Sequence, residues 1–83
     1  MKARVYITIK PGVLDPQGKA VESGLKNLSF DEVKGVRVGK FIELDLNGVA
    51  PSKIEERVRQ MCDKLLANPV IESYRVEIGT HIK

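Results

Sequence analysis

Residues 63–75 read DKLLANPVIESYR and join the last turns of an amphipathic helix to a β-strand across one proline. Pro69 lacks a backbone N–H and cannot continue a helix, so the helix must end before it. Beyond the proline, Tyr74, Val76 and Ile78 alternate with polar residues, a pattern typical of a half-buried strand. A helix that leads this directly into a strand predicts a domain in which helices pack on a sheet.

The helix before this junction is predicted to bury one face. Its apolar residues recur at helical spacing, and they are Ile54, Val58, Met61, Cys62 and Leu65. The run Ser52-Lys53-Ile54-Glu55 matches a capping box, which predicts that the Ser52 side chain caps the start of this helix.

The N-terminal part of the chain predicts a strand followed by a helix. Four apolar residues alternate with polar ones in the strand: Ala3, Val5, Ile7 and Ile9. The helix is expected to start at Asp15-Pro16, because Asp caps free amide groups and Pro fits the first helical position. Its apolar stripe consists of Val21, Leu25 and Leu28, and we expect this stripe to face the sheet.

The middle of the chain carries an apolar alternation that spans a glycine. Val36, Val38, Ile42, Leu44 and Leu46 share one period-2 phase, interrupted only by Lys40. A two-residue hairpin at Gly39-Lys40 would put the three apolar residues after the turn on the opposite face from the two before it. The shared phase therefore disfavours a hairpin. Two arrangements remain open: a three-residue loop over residues 39–41, and one long strand bent at Gly39, which we favour.

A long second strand predicts an interface between two copies of the chain. About a dozen residues span about 40 Å in a strand, whereas a domain of this length is about 30 Å across. One end of the strand should overhang the monomer, and an unpaired apolar edge needs a partner. The predicted dimer interface consists of Val36, Val38, Ile42, Leu44 and Leu46.

The order of these elements indicates an α+β domain with two layers, β-α-β-α-β. We expect a small sheet with a long bent second strand, two helices on one face, and extension of the sheet by dimerisation. A single domain covers residues 1–83, and residues 79–83 are predicted to be a frayed tail.

Composition narrows the class of protein. The chain has 83 residues, one cysteine, and 14 basic against 11 acidic residues interleaved along its length, for a net charge of +3. This mixed charge argues against nucleic-acid binding. The sequence has no long apolar run that would predict a membrane span or signal peptide. A lone cysteine suits a reducing compartment, so we expect a cytoplasmic protein.

The residues that usually carry catalysis are few. His81 is the only histidine and lies near the C-terminus, and Cys62 belongs to the apolar stripe of the second helix. Asp15 is interpreted as a helix cap in preference to a catalytic carboxylate. Glu43 and Asp45 share a strand face, where a solvated surface is commoner than a metal site. The sequence therefore predicts no catalytic, cofactor-binding or metal-binding residue.

A weaker pattern of basic and polar residues accompanies the start of the first helix. Gln17 and Lys19 lie in its first turn, and Arg37 and Lys40 add charge further along. Helix N-termini attract anions, but the run lacks the spacing of a phosphate-binding P-loop. These four residues are candidates for contact with a partner or an anion.

Three runs resemble the PurS family, the small subunit of phosphoribosylformylglycinamidine (FGAM) synthase. They are VLDPQGKA at residues 13–20, VRVGKFIEL at 36–44 and MCDKLLANPVIESYR at 61–75. They occur in the order found in that family and are distributed along nearly the whole chain, apart mainly from its tail. The predicted architecture also resembles the ferredoxin-like fold.

The resemblance implies a non-catalytic adaptor within an ATP-dependent ligase complex of purine biosynthesis. The implied partners are a second copy of the chain, a glutaminase subunit and a large synthetase subunit. The complex would use ATP, Mg²⁺ and glutamine to convert formylglycinamide ribonucleotide into formylglycinamidine ribonucleotide. The chain itself is expected to bind none of these cofactors, no nucleic acid and no membrane.

A different class of function also fits a small domain without catalytic groups. It is a stand-alone regulatory domain that senses a small ligand as a homodimer. An adaptor should bind two unlike proteins at once, whereas a sensor should act on one.

Overall fold

The structure is a computed structural model and describes residues 1–79. Three strands and two helices follow one another in the predicted order: β1 (Lys2–Ile9), α1 (Pro16–Asn27), β2 (Lys40–Asp45), α2 (Ile54–Met61) and β3 (Glu72–Gly79). A 3₁₀ turn, Pro51–Lys53, precedes α2, and a π-helical turn, Cys62–Leu66, follows it. The predicted α+β architecture is confirmed.

The sheet has the order β2-β1-β3, and both outer strands run antiparallel to β1. Val5 lies opposite Ile42 on one side and Val76 on the other. The inward-facing residues of β1, Ala3, Val5 and Ile7, are almost completely buried because they are flanked on both sides and covered by α2. The alternation read from the sequence therefore sets which face of the sheet forms the core.

The second helix covers this face with Val58, and the π-helical turn that follows adds Cys62; both are buried, as is Ile54 at the start of α2. The π-helical turn then brings Ala67 into the same core. Ile42, Leu44 and Leu46 of the β2 region pack against the edge of the core and stay half-buried. Cys62 therefore occupies a packing position, as its place in the apolar stripe predicted.

The first helix does not pack on the sheet as expected. Gly18 is the only buried residue of α1, whereas Val21 is 45% and Leu28 is 69% exposed. The reason lies in the topology. β1 and β2 are antiparallel neighbours, so the chain returns to the same end of the sheet and needs no crossover over its face. The expected layer of two helices is reduced to α2 alone.

The second strand is shorter than predicted, and no hairpin forms at Gly39. The ladder to β1 begins at Lys40, opposite Ile7, and residues 33–39 have no strand partner among the described residues. A Cβ atom at Gly39 would lie 2.3 Å from the Ile7 carbonyl oxygen, which is too close for any residue other than glycine unless the backbone shifts. Glycine thus lets the chain approach β1 closely where it enters β2.

The ends of α2 differ from the expectation in two ways. The Lys53 N–H donates to the Ala50 carbonyl at 2.9 Å, so helical winding starts at Pro51 and Ser52 does not act as a cap. At the other end, the Ala67 N–H donates to the Cys62 carbonyl at 2.9 Å. This bond spans five residues and widens the last turn, so Leu65 points outward and is 83% exposed. The predicted burial of Leu65 is wrong.

The chain forms a long, thin plate. Its extents are 50 × 28 × 14 Å and its radius of gyration is 16.1 Å, against about 12 Å for a compact domain of this length. Gly79, assigned to the predicted tail, closes β3. The rest of that tail, with His81, lies outside the described residues.

Candidate protein-interaction surfaces

Asp15 joins the start of α1 to the segment that leads into β2. Its carboxylate accepts the Gly18 N–H at 2.8 Å and the Val38 N–H at 2.9 Å, and the residue is buried. These two bonds, first that from Gly18, hold the pKa of the carboxyl below its usual value of 3.8, and the charge of Arg37 contributes. The geometry fits the predicted helix cap and adds a long-range anchor.

Gly18 and Arg37 hold the same segment in place. A Cβ atom at Gly18 would lie 2.4 Å from the Val36 carbonyl oxygen, so this backbone crosses directly over the first turn of α1. The Arg37 guanidinium donates to the carbonyl oxygens of Ile9 and Lys10 at the end of β1. Arg37, a predicted partner contact, is thus engaged within its own chain.

The other predicted contact residues fall into two places. Lys19 and Arg37 line a shallow cavity of about 290 Å³ together with Lys34, but Asp15 and Glu22 line it too. Because acidic and basic side chains both line this cavity, it is poorly suited to bind an anion. Gln17 is exposed in the first turn of α1. Lys40 lies apart from this cavity and pairs with Glu72 at 3.6 Å.

The apolar side of α1 and its approaches are uncovered. Four residues in this region expose large apolar side chains: Leu14, Val21, Leu28 and Phe30. Residues 36–38 beside it are half-buried or exposed and contribute nothing to the core cluster. An apolar surface of this kind is typical of an interface with another chain.

The sheet face opposite α2 carries stacked aromatic and cationic groups. The rings of Tyr6 and Phe41 lie 5.1 Å apart, with Arg4 over Phe41 at 5.8 Å and Arg75 over Tyr6 at 4.2 Å. The Tyr6 hydroxyl donates to Glu77 at 2.8 Å, and this bond is the main reason that the Glu77 pKa is lowered. Sequence analysis missed this cluster because it depends on the register of three strands.

The residues considered for catalysis or metal binding do not form a common site. Burial raises the pKa of the Cys62 thiol, and a nearby Asp63 adds to the shift. Glu43 is exposed, and Asp45 lies 3.9 Å from Lys2. Over residues 1–79, no three His, Cys, Asp or Glu side chains are grouped so as to hold a metal ion. No helix in that part of the chain is long and apolar enough to cross a bilayer.

Together these features define a thin α+β chain whose uncovered apolar surfaces suit contact with other proteins. Residues 2–80 match the PurS family, described as phosphoribosylformylglycinamidine (FGAM) synthase. The chain belongs to this family.

Relatives and solved structures agree with the match. Subunit PurS of phosphoribosylformylglycinamidine synthase from a Synechocystis species is 51% identical over 75 residues, which are 90% of this chain and 75% of the relative. The structure of Bacillus subtilis PurS superposes with a TM-score of 0.83 at 46% identity, covering 92% of this chain and 94% of that one. A chain in the structure of PurLQS from Thermotoga maritima gives a TM-score of 0.82 at 34% identity, covering 92% and 93%.

Proposed function

We propose that this chain is the non-catalytic adaptor of an FGAM synthase that acts in the cytoplasm during purine biosynthesis. It bridges a glutaminase subunit and an ATP-dependent synthetase subunit. Ammonia freed from glutamine then converts formylglycinamide ribonucleotide into formylglycinamidine ribonucleotide. The observation that carries the proposal is the close match, over nearly the whole chain, to a component of the Thermotoga maritima PurLQS structure.

The chemistry of the described residues supports a positioning role. Glutamine hydrolysis needs an activated nucleophile, and the Cys62 thiol is buried with a raised pKa. ATP chemistry needs a phosphate cradle and Mg²⁺ ligands, whereas the cavity beside Lys19 is lined by both acidic and basic groups. In this proposal the partners bind glutamine, ATP and Mg²⁺, and the chain holds those partners in register.

The adaptor is proposed to work as a homodimer. Residues 36–39 have no strand partner among the described residues, and they lead into β2 with the half-buried Ile42 and Leu44 and on to the half-buried Leu46. The apolar stripe of α1 is exposed beside them. Pairing with a second copy would cover both the unpaired segment and the exposed stripe. The elongated shape, with a radius of gyration of 16.1 Å, supports such pairing.

The proposal is tested by reconstitution with a glutaminase and a synthetase of this family. Formylglycinamidine ribonucleotide is measured with glutamine, and separately with free ammonia, in the presence and absence of this chain. We expect the chain to be required with glutamine and nearly dispensable with ammonia, because positioning replaces diffusion between two active sites by local transfer.

Two controls make the result interpretable. The chain alone should hydrolyse no glutamine and bind no ATP in equilibrium dialysis. Equal stimulation of the glutamine- and ammonia-driven reactions would overturn the adaptor mechanism and indicate an allosteric effect on the synthetase.

A further inference from the structure

The end of α2 carries a groove that the fold itself leaves empty. It has a volume of about 330 Å³ and is lined by Arg57, Gln60, Met61, Lys64, Leu65 and Leu66. Leu65 stands on its rim with 83% of its surface exposed, the largest exposure among the large apolar side chains of residues 1–79. Leu66 turns inward and packs against the core.

The π-helical turn is the cause of this exposure. In a continuous α-helix Leu65 would follow Ile54, Val58 and Cys62 on the buried face. The bond from the Ala67 N–H to the Cys62 carbonyl adds one residue to the turn, so Leu66 and Ala67 take the inward positions. Single π turns within helices are uncommon and occur often at functional sites.

Charge on the groove is of one sign. Arg57 and Lys64, both exposed, are its two ionisable lining residues. If the groove lay on the two-fold axis of a dimer, the grooves of the two copies would face each other. Arg57 and Lys64 would then meet cations across the contact, which is unfavourable, whereas a carboxylate-bearing partner would be complementary.

We propose that this groove docks an acidic segment of one of the larger subunits, in which a large apolar side chain inserts beside Met61 and Leu65 and carboxylates face Arg57 and Lys64. The inference rests on the proposed function and names the surface used by that function. None of the groove's lining residues belongs to the α1 stripe or to residues 36–46 proposed for the homodimer.

The test compares Leu65→Glu and Lys64→Glu with Val70→Glu. Val70 is 78% exposed, does not line the groove, and receives the same change as Leu65. Affinity for the isolated glutaminase and for the isolated synthetase is measured by calorimetry, and light scattering and thermal unfolding are recorded for each variant. Leu65→Ala is included because it removes the side chain without adding charge.

We expect Leu65→Ala and Leu65→Glu to weaken binding to one of the two subunits by about ten- to one hundredfold, as loss of a buried leucine predicts. Lys64→Glu should weaken binding to the same subunit and reduce the salt dependence of that binding. Val70→Glu should bind like the unmodified chain, and all variants should remain dimers with unchanged unfolding temperatures.

Three results would overturn the inference. Unmodified binding by Leu65→Glu in an assembly that forms normally would refute the groove and leave the adaptor role intact. Loss of the homodimer in Leu65→Glu would make this face a contact between copies. Failure of the unmodified chain to bind either subunit would refute the adaptor role, and the groove inference with it.

Discussion

The Asp15 carboxylate and the Val38 N–H lie 2.9 Å apart although the two residues are 23 positions apart in the chain. The same carboxylate caps α1 through Gly18. One side chain therefore fixes both the start of a helix that has little other support and the backbone that enters β2.

Replacing Asp15 with Ala should destabilise the fold without abolishing chemistry. Both N–H groups lose their acceptor, and we expect the unfolding temperature to fall by about 5 °C, as for loss of a helix cap in a small domain. Asp15→Asn keeps one acceptor oxygen, so its unfolding temperature should lie between those of Asp15→Ala and the unmodified chain. Turnover of the assembled complex under stabilising conditions should stay near that of the unmodified chain. A stable, assembled Asp15→Ala complex without turnover would make Asp15 a functional group.

Stability should decline in acid because of Asp15 and Glu77. Both carboxyls have lowered pKa values, Asp15 through backbone N–H groups and Glu77 first through the Tyr6 hydroxyl. The unfolded chain therefore binds more protons than the folded chain in the acid range. The stabilisation by these two carboxylates is full above the ordinary carboxyl pKa, about 4, and is lost as pH falls through their pKa values in the folded chain. Urea unfolding between pH 6 and about pH 3 measures the slope. Asp15→Asn and Glu77→Gln should each flatten it, whereas an unchanged slope in both would contradict this account.

Gly39→Ala and Gly24→Ala form a matched pair with opposite expected effects. A methyl group at Gly39 would meet the Ile7 carbonyl at 2.3 Å, whereas one at Gly24 has no neighbour within 4 Å. Gly39→Ala should lower the free energy of unfolding by about 1–3 kcal/mol. Gly24→Ala, inside α1, should raise it by about 0.5–1 kcal/mol. Chemical denaturation compares them, and a neutral Gly39→Ala would show that the chain enters β2 with more freedom than described.

Cys62 should behave as a packing residue. Its side chain is buried and the pKa of its thiol is raised, so reaction with a thiol reagent at pH 8 should be slow in the folded chain and rapid in denaturant. Cys62→Ala should reduce the free energy of unfolding by about 1 kcal/mol and leave glutamine-dependent turnover unchanged. Fast labelling of the native chain accompanied by loss of turnover would argue against this role.

Leu44→Lys should weaken the proposed homodimer or the fold itself. Leu44 packs half-buried against the core edge beside the segment proposed to pair with a second copy, and an ammonium group there would be placed in apolar surroundings. Glu43→Gln, on the exposed neighbour that points to the other face, is the control. Light scattering at micromolar concentration reports the mass. A monomeric unmodified chain at that concentration would refute the dimer.

Local patterns predicted much of the fold. The alternation in β1 and β3 located both strands, and Asp15-Pro16 located the first helical residue at Pro16. The pattern of α2 located its buried face as far as Cys62. These features depend on neighbours within one or two turns or on a single period, so the sequence contains them directly.

The remaining features depend on competition or on distant contacts. Pro51 starts helical winding before Ser52, which overrides the capping box. The π-helical turn places Leu66 and Ala67 inward and Leu65 outward, although the spacing of Leu65 continues the apolar stripe of α2. The position of α1 follows from antiparallel pairing of β1 with β2, and the stacking of Tyr6 on Phe41 follows from the register of that pair. No local pattern encodes strand order or register.

The 14 Å thickness of the plate limits what one copy can enclose. A sheet and the one helix packed on it fill this thickness, so a single copy has no interior left for a tunnel. If ammonia passes from one active site to another along this protein, the chain can supply only one wall of the route. The other walls must come from neighbouring subunits, so the passage would exist only in the assembled complex.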